Sequence, residues 1–421
     1  IKTTGFTAVS GNGYFCNTSG GAFTATLPAS PTAGDIVAVS DYTRTFNTYN
    51  LTIGRNSKPI GGVALDSILT VDGQSATFVF VDDTEGWINI QETETSLTGT
   101  SFMIATGGTP CSGAIVCTNY KQHTFTGPGT FCVSQISNAT DNNAVAYTVV
   151  AGGGGGGGGG VCGAQGGGGG GGAGGFREGR SPITPYTASP LVAPTGITVT
   201  ASAYPITVGG GGCGTNGAPQ GGSGSTSTFS TIDSAGGGGG GSAFGYSPYQ
   251  PSPGSTGDGL NGGSGGGGGI SDNVSCGNGG AGDTPNVTPD QGFDGGDANP
   301  GSVTPPFGNY EGAGGGGATA VGGNFTGPGT GPPAGHGGAG ATSSINATPT
   351  ARAGGGGGGG PCSQGGTGGG GAGGAGVGVP DNNGIAGTVN TGGGGGGANN
   401  KAPAIGGNGG SGVVIIRYKF Q

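Results

Sequence analysis

The sequence predicts an all-β chain with essentially no α-helix. An N-terminal β module is followed by a glycine-rich domain of about ten packed polyproline/polyglycine II helices, capped by a small β-sheet. Three observations predict it. Glycine supplies 117 of the 421 residues, about four times its usual share. Outside the glycine runs, apolar residues alternate at period two between Gly/Pro turns, and helical periodicity is missing. The glycine-rich region is also pinned by strand-like sequence at both ends, AVAYTVV (144–150) and VVIIRYKF (413–420).

Residues 1–97 read as a small sandwich of short strands. Within them ATFVFVDDTEGWINIQ (76–91) reads as a hairpin with Trp87 packing on the core. Residues 98–150 form a connection followed by strands at the base of the glycine-rich domain. HTFTGPGTFCVSQ gives a strand–turn–strand pattern, and AVAYTVV runs straight into glycine. Residues 151–421 hold glycine runs at 152–160, 166–175, 209–212, 236–241, 265–269, 314–317, 354–360, 368–376, 392–397 and 406–412.

A flexible tether mixes glycine with serine and polar residues, whereas these runs are nearly pure and recur between two strands. Ordered glycine has an available geometry in polyproline II, whose backbone groups point outward and bond to neighbouring helices. A helix inside such an array touches others on all sides, so a side chain would hold them apart. Fixing each backbone costs about 1–2 kcal/mol, and glycine loses most, so only a cooperative array repays it.

If successive runs alternate direction, the connections sort into two ends. The strand end receives 176–208, 242–264, 318–353 and 377–391. The far end receives 161–165, 213–235, 270–313, 361–367 and 398–405. A further run at 277–282 or 335–341 would reverse the later assignments.

Composition excludes several classes. The net charge is −9, with Lys and Arg totalling 11, so a basic stripe for nucleic acid is absent. No apolar run is long enough to span a bilayer as a helix, so membrane insertion is not expected. No secretory signal is visible, and an opening Ile1 points to a processed product or part of something longer. Eight cysteines form no CxxC pair and His123 and His336 stand apart, so neither zinc nor any other cofactor is expected. Disulfides are the better use: Cys162, Cys213, Cys276 and Cys362 fall at or near the far end, and Cys111 and Cys117 are further candidates, with the pairing left open. The carboxylates Asp283, Asp290, Asp294 and Asp297 have no spacing that fixes a catalytic pair, and no enzyme activity is expected. Ice binding would need a regular Gly-x-x face, and that period is not evident in the sequence.

The combination HTFTGPGTFCVS…AYTVVAGGGGGGG…TASAYPITVGGGG…GGSGVVIIRYKF resembles the glycine-rich domain of bacteriophage tail fibres and related virion appendages. It also resembles the tip adhesins of T-even-type phages, and GYFCNTSGGAFTATLPASPTAGDIVAV is similar to β modules of marine phage fibre proteins. The resemblance implies an extracellular virion protein that binds a bacterial cell-surface protein or glycan through loops on a rigid polyglycine core, beside other fibre or tail proteins. For phage fibres it implies a homotrimer, whereas a tip adhesin can be a single chain. A purely structural fibre or decoration protein shares every one of these features. The far-end sorting makes 270–313 the foremost recognition loop, with Asp290, Phe293, Asp294, Asp297, Phe307 and Tyr310, and Phe229 of 213–235 beside it. If the sorting is reversed, 242–264 with Phe244, Tyr246 and Tyr249 takes that role. Rigid loops with aromatic anchors and small polar neighbours lose little entropy on binding.

Overall fold

A computed structural model describes residues 1–91, 101–160, 166–217, 219–243, 257–270, 276–298, 311–325, 335–360, 364–366, 368–371, 382–399 and 404–421. The chain is nearly all β. Among the described residues the one helical element is a 3₁₀ turn, Thr140–Asn143. It divides into two compact units, Ile1–Ser101 with Ser137–Ala139, and Phe102–Ile136 with Thr140–Gln421.

The first unit contains two four-stranded sheets. One is built from Asn12–Cys16, Ile36–Asp41, Ser75–Asp82 and Gly86–Asn89. The other uses Phe6–Thr7, Phe23–Thr26, Leu51–Gly54 and Ser67–Leu69. Alternation turns Val37, Val39, Phe78 and Phe80 inward onto Leu51, Ile53 and Leu69. The hairpin read at 76–91 pairs Phe80 with Trp87, whose ring is fully buried.

In the second unit the strands that bracket the glycines meet. Ala144–Val150 and Val413–Lys419 are antiparallel neighbours, with Val150 opposite Val413. They lie in a seven-stranded sheet, beside Tyr120–Phe125 on one flank and Phe176–Gly179 on the other. The pattern around Gly127-Pro128-Gly129 does give two strands, Tyr120–Phe125 and Gly129–Gln135. They belong to different sheets, because the second joins a five-stranded sheet with Ala203–Thr207. Val145, Tyr147, Val149 and Ile416 from one sheet meet Phe131, Val133, Ile206 and Phe229 from the other in a shared core.

Above the seven-stranded sheet the glycine segments pack with a hydrogen-bond pattern that recurs every third residue. In 166–175 the amides of Gly168, Gly171 and Gly174 donate to Ala398, Gly395 and Gly392; those of Gly169, Gly172 and Gly175 donate to Gly241, Gly238 and Ala235; and those of Gly170 and Ala173 donate to Ala313 and Gly316. Its carbonyls accept from Gly154, Gly157 and Gly160, from Ser264, Gly267 and Ile270, and from Gly356 and Gly359. The segment is thus bonded on all sides, to 152–160, 235–243, 264–270, 311–318, 353–360 and 392–399. A Cβ built at Gly171 would fall on the carbonyl oxygen of Gly154, and one at Gly170 on that of Gly356. Glycine is required here because neighbouring backbones occupy the space a side chain would take.

More segments take part than the pure runs announce. Segment 220–225 returns antiparallel to 152–160, through Gly152 to Ser225 and Gly155 to Gly222. Segments 257–263, 276–283, 292–298, 322–325, 335–340 and 382–388 also lie in the array. Segments 277–282 and 335–341, whose inclusion would reverse the sorting, are both among them.

Candidate functional site

The direction of each segment follows from its bonds. Gly154 donates to Gly172, Gly157 to Gly169 and Gly160 to Gly166, so 152–160 runs away from the sheet and 166–175 returns. Segment 235–243 is parallel to 152–160, with Gly237 on Gly152 and Gly240 on Gly155, and it too ends far from the sheet, at Ala243. Leu260 on Gly239 and Gly263 on Gly236 make 257–263 a returning segment. By the same reasoning Ile270 and Cys276, which bridge each other, lie at the remote end. Ala298, Glu311 and Phe325 lie there as well, and Ile270, Ala298, Ala313 and Phe325 form a small buried apolar cluster at that end. Glu311 is 9% exposed, and burial pushes its carboxyl above the ordinary value.

This geometry corrects the loop sorting. Residues 227–234 form a hairpin at the sheet end, Ser227–Phe229 with Ile232–Ser234, because the returning segment 220–225 brings the chain back first. Phe229 is therefore no recognition residue. Its ring is 0% exposed and packs edge-on to Phe131 and Tyr147 in the core between the sheets. Residues 284–291 also lie at the sheet end, where Gln291 accepts the N–H of Phe176 on its carbonyl and that of Ala235 on its side chain. Asp290 is exposed in that connection, and Phe293 stands at the sheet-proximal start of its segment, half-buried.

Asp294 and Asp297 are exposed but already have partners. Asp294 Oδ1 accepts the N–H of Gly282 at 2.7 Å, and Asp297 Oδ1 accepts that of Gly279 at 2.8 Å. On the other side of the same segment, Asp258 accepts from Asn278 and Asn261 from Ala281, both at 2.8 Å. In segment 276–283 the N–H groups of Gly277, Gly280 and Asp283 find backbone acceptors, Gly269, Gly266 and Gly263, and side chains spaced three apart serve Asn278, Gly279, Ala281 and Gly282. Nothing in the sequence marked Asp258 and Asn261 for this task except their three-residue spacing.

The disulfide expectation is likewise corrected. Cys111, Cys117, Cys213 and Cys276 are free thiols. Cys111 lies within the extended strand Thr109–Val116 and Cys117 just beyond its end, six residues on. Cys213 continues the segment from 209, which bonds to 152–160 and 404–412, whereas Cys276 opens a segment bonded to 257–270 and 292–298. Cys162, Cys362, Phe307, Tyr310, Phe244, Tyr246 and Tyr249 lie outside the described residues.

At the sheet end the polar chemistry is structural. Glu178 is 2% exposed; it accepts the Ser189 N–H at 2.8 Å and the Ser343 hydroxyl, tying the hairpin Ala341–Arg352 to the sheet. The Arg417 guanidinium lies over the rings of Tyr120 and Tyr186 at 4.6 and 5.5 Å. His123 is buried beside Phe131 and Tyr418, its Nδ1 2.6 Å from the Gly107 carbonyl, and burial pushes it below the usual imidazole range. Among the described residues no group of three His, Cys, Asp or Glu side chains could hold a metal ion.

The family model described as "Glycine-rich domain" matches residues 124–419, from the strand before the first turn to the last strand of the sheet. This chain belongs to the glycine-rich domain family. No curated protein matches the sequence. The match to the glycine-rich domain takes in Tyr120–Phe125 only at its end and leaves residues 1–123 outside it.

Proposed function

We propose that this glycine-rich domain protein is a virion tail-fibre adhesin that attaches to a bacterial cell surface. In this reading the glycine segments are polyglycine II helices forming a rigid post, and the connections at the end remote from the sheet carry recognition. The observation that supports it best is directional. Both bracketing strands lie at one end, while Ala243, Ile270, Ala298, Glu311 and Phe325 lie at the other. The longest stretches joining remote-end segments, 244–256 and 299–310, contain Phe244, Tyr246, Tyr249, Phe307 and Tyr310. Aromatic residues among Gly, Ser and Pro are the composition of adaptable recognition loops. The helical part rests on the three-residue bond recurrence, since polyproline II has three residues per turn. The viral part rests on the resemblance at the flanking strands, and the receptor class, protein or glycan, is taken from it.

The test is binding of the fluorescently labelled full chain to a panel of bacterial strains, repeated after replacing 244–256 or 299–310 with Gly/Ser sequence of equal length. Loss of binding at an unchanged unfolding temperature is the expected result. Binding that survives both replacements would move recognition elsewhere in the chain. Absence of binding to every strain would favour a purely structural fibre protein.

A further inference from the structure

Asparagine is followed by glycine at Asn12, Asn216, Asn261, Asn278, Asn383 and Asn408. In such a pair the glycine nitrogen can attack the side-chain carbonyl carbon of the asparagine, and a glycine without a Cβ hinders that attack least. Three of the pairs are clamped to a neighbouring segment. Asn261 Oδ1 accepts the Ala281 N–H at 2.8 Å while the Gly262 N–H donates to the Ala281 carbonyl. Asn383 and Gly384 hold both backbone groups of Ile405 in the same way. Asn408 and Gly409 hold the Gly214 N–H and the Gly212 carbonyl. In each clamp the carboxamide and the attacking N–H are both occupied, so ring closure must first break two bonds. Asn12 and Asn216 lie in backbone pairings, opposite Val37 and Ile405.

Asn278 differs on both counts. It is exposed, and its carboxamide has no hydrogen-bond partner among the described residues. The N–H of Gly279 is held at 2.8 Å by a carboxylate oxygen, Asp297 Oδ1. Among the described residues no other glycine that follows an asparagine donates to a carboxylate. The backbone of Asn278 is itself fixed, its N–H on Asp258 Oδ1 and its carbonyl under the Gly259 N–H.

We propose that Asn278-Gly279 is a site of spontaneous modification through a succinimide, with Asp297 as the proton acceptor. The inference is independent of the recognition reading. The Gly279 nitrogen bonds to Cγ of Asn278 and its proton passes to the Asp297 carboxylate. The Cγ–Nδ2 bond breaks, and ammonia leaves with that proton. Water then opens the ring to an aspartyl or isoaspartyl residue. A carboxylate already seated on the departing proton is a positioned general base. The product adds a negative charge beside Asp258 and Asp297, so this edge of the array loosens first as the protein ages.

Peptide mapping by mass spectrometry tests this on the full chain, held folded in warm, mildly alkaline buffer. Asn278 should convert first, gaining one mass unit, while Asn261, Asn383 and Asn408 persist. The same chain in urea should convert all four. Asp297→Asn keeps an acceptor for the Gly279 N–H but removes the base. It should slow conversion at Asn278 about tenfold or more, a modest share of what general bases supply, and leave the clamped pairs as they were. Conversion at Asn278 that is no faster than at the clamped pairs, or that Asp297→Asn does not slow, would overturn the inference.

Discussion

The carboxylate of Asp297 accepts the backbone N–H of Gly279 at 2.8 Å, and three residues earlier Asp294 does the same for Gly282. The three-residue rhythm of the donors is matched by the same rhythm in the acceptors. These carboxylates finish the edge of the glycine array where backbone neighbours run out. Asp297→Leu should cost about 1 kcal/mol, the usual net worth of one such bond, and should speed amide exchange at Gly279. Asp297→Asn keeps an acceptor oxygen and should exchange at close to the wild-type rate. Equal exchange at Gly279 in the Leu variant and the wild type would show that the bond does not hold the segment.

Glycine is needed to different degrees within the array. A Cβ at Gly171 would collide with the Gly154 carbonyl, whereas at Gly210 it would meet nothing within 4 Å. Gly171→Ala must push segments apart and should cost about 1–3 kcal/mol or more, as overpacking does. Gly210→Ala should be neutral or raise stability by up to about 1 kcal/mol, through the unfolded chain. Thermal unfolding of the two variants decides it, and equal effects would mean the segments are not in backbone contact.

These positions show what the sequence could reveal. Pure glycine runs mark segments surrounded by other backbones, since a side chain fits on none of their sides. The bracketing strands were legible from Val413 to Ile416 because β-branched residues between glycines have few other uses. Edge segments were not legible, because each is free to carry side chains on its outer face. Asp294-Gly-Gly-Asp297 reads as loop, yet its triplet spacing was the signal. One missed edge segment, 220–225, was enough to misplace Phe229. The alternation in STFSTIDS (227–234) could have shown the hairpin, whose turn holds Ser230 at φ 54°.

Phe229 and Asp290 should therefore behave in opposite ways. Phe229→Ala empties a core position shared with Phe131 and Tyr147 and should cost about 3–5 kcal/mol. Asp290→Ala, on an exposed connection, should stay within about 0.5 kcal/mol. Denaturant unfolding of both variants measures this. A Phe229→Ala protein of unchanged stability would contradict the assignment of its ring to the core between the sheets.

Acid should favour the array at its remote end. The Glu311 carboxyl is buried against Gly360, where an added Cβ would meet Glu311 Cδ at 2.7 Å. Burial raises its folded pKa above the ordinary 4.5 by disfavouring the charged form. Below the ordinary value both states are protonated and the group has no effect on folding. As pH rises from there through the folded pKa, the unfolded chain gives up its proton first, so stability falls. Above the folded pKa the penalty is complete and constant. Glu311→Gln removes the titration, so its unfolding temperature should gain on the wild type between pH 4 and pH 7.5. A difference between the two proteins that does not change across that range would mean the carboxylate is solvated when charged, and the remote end would then be more open to water than its apolar cluster implies.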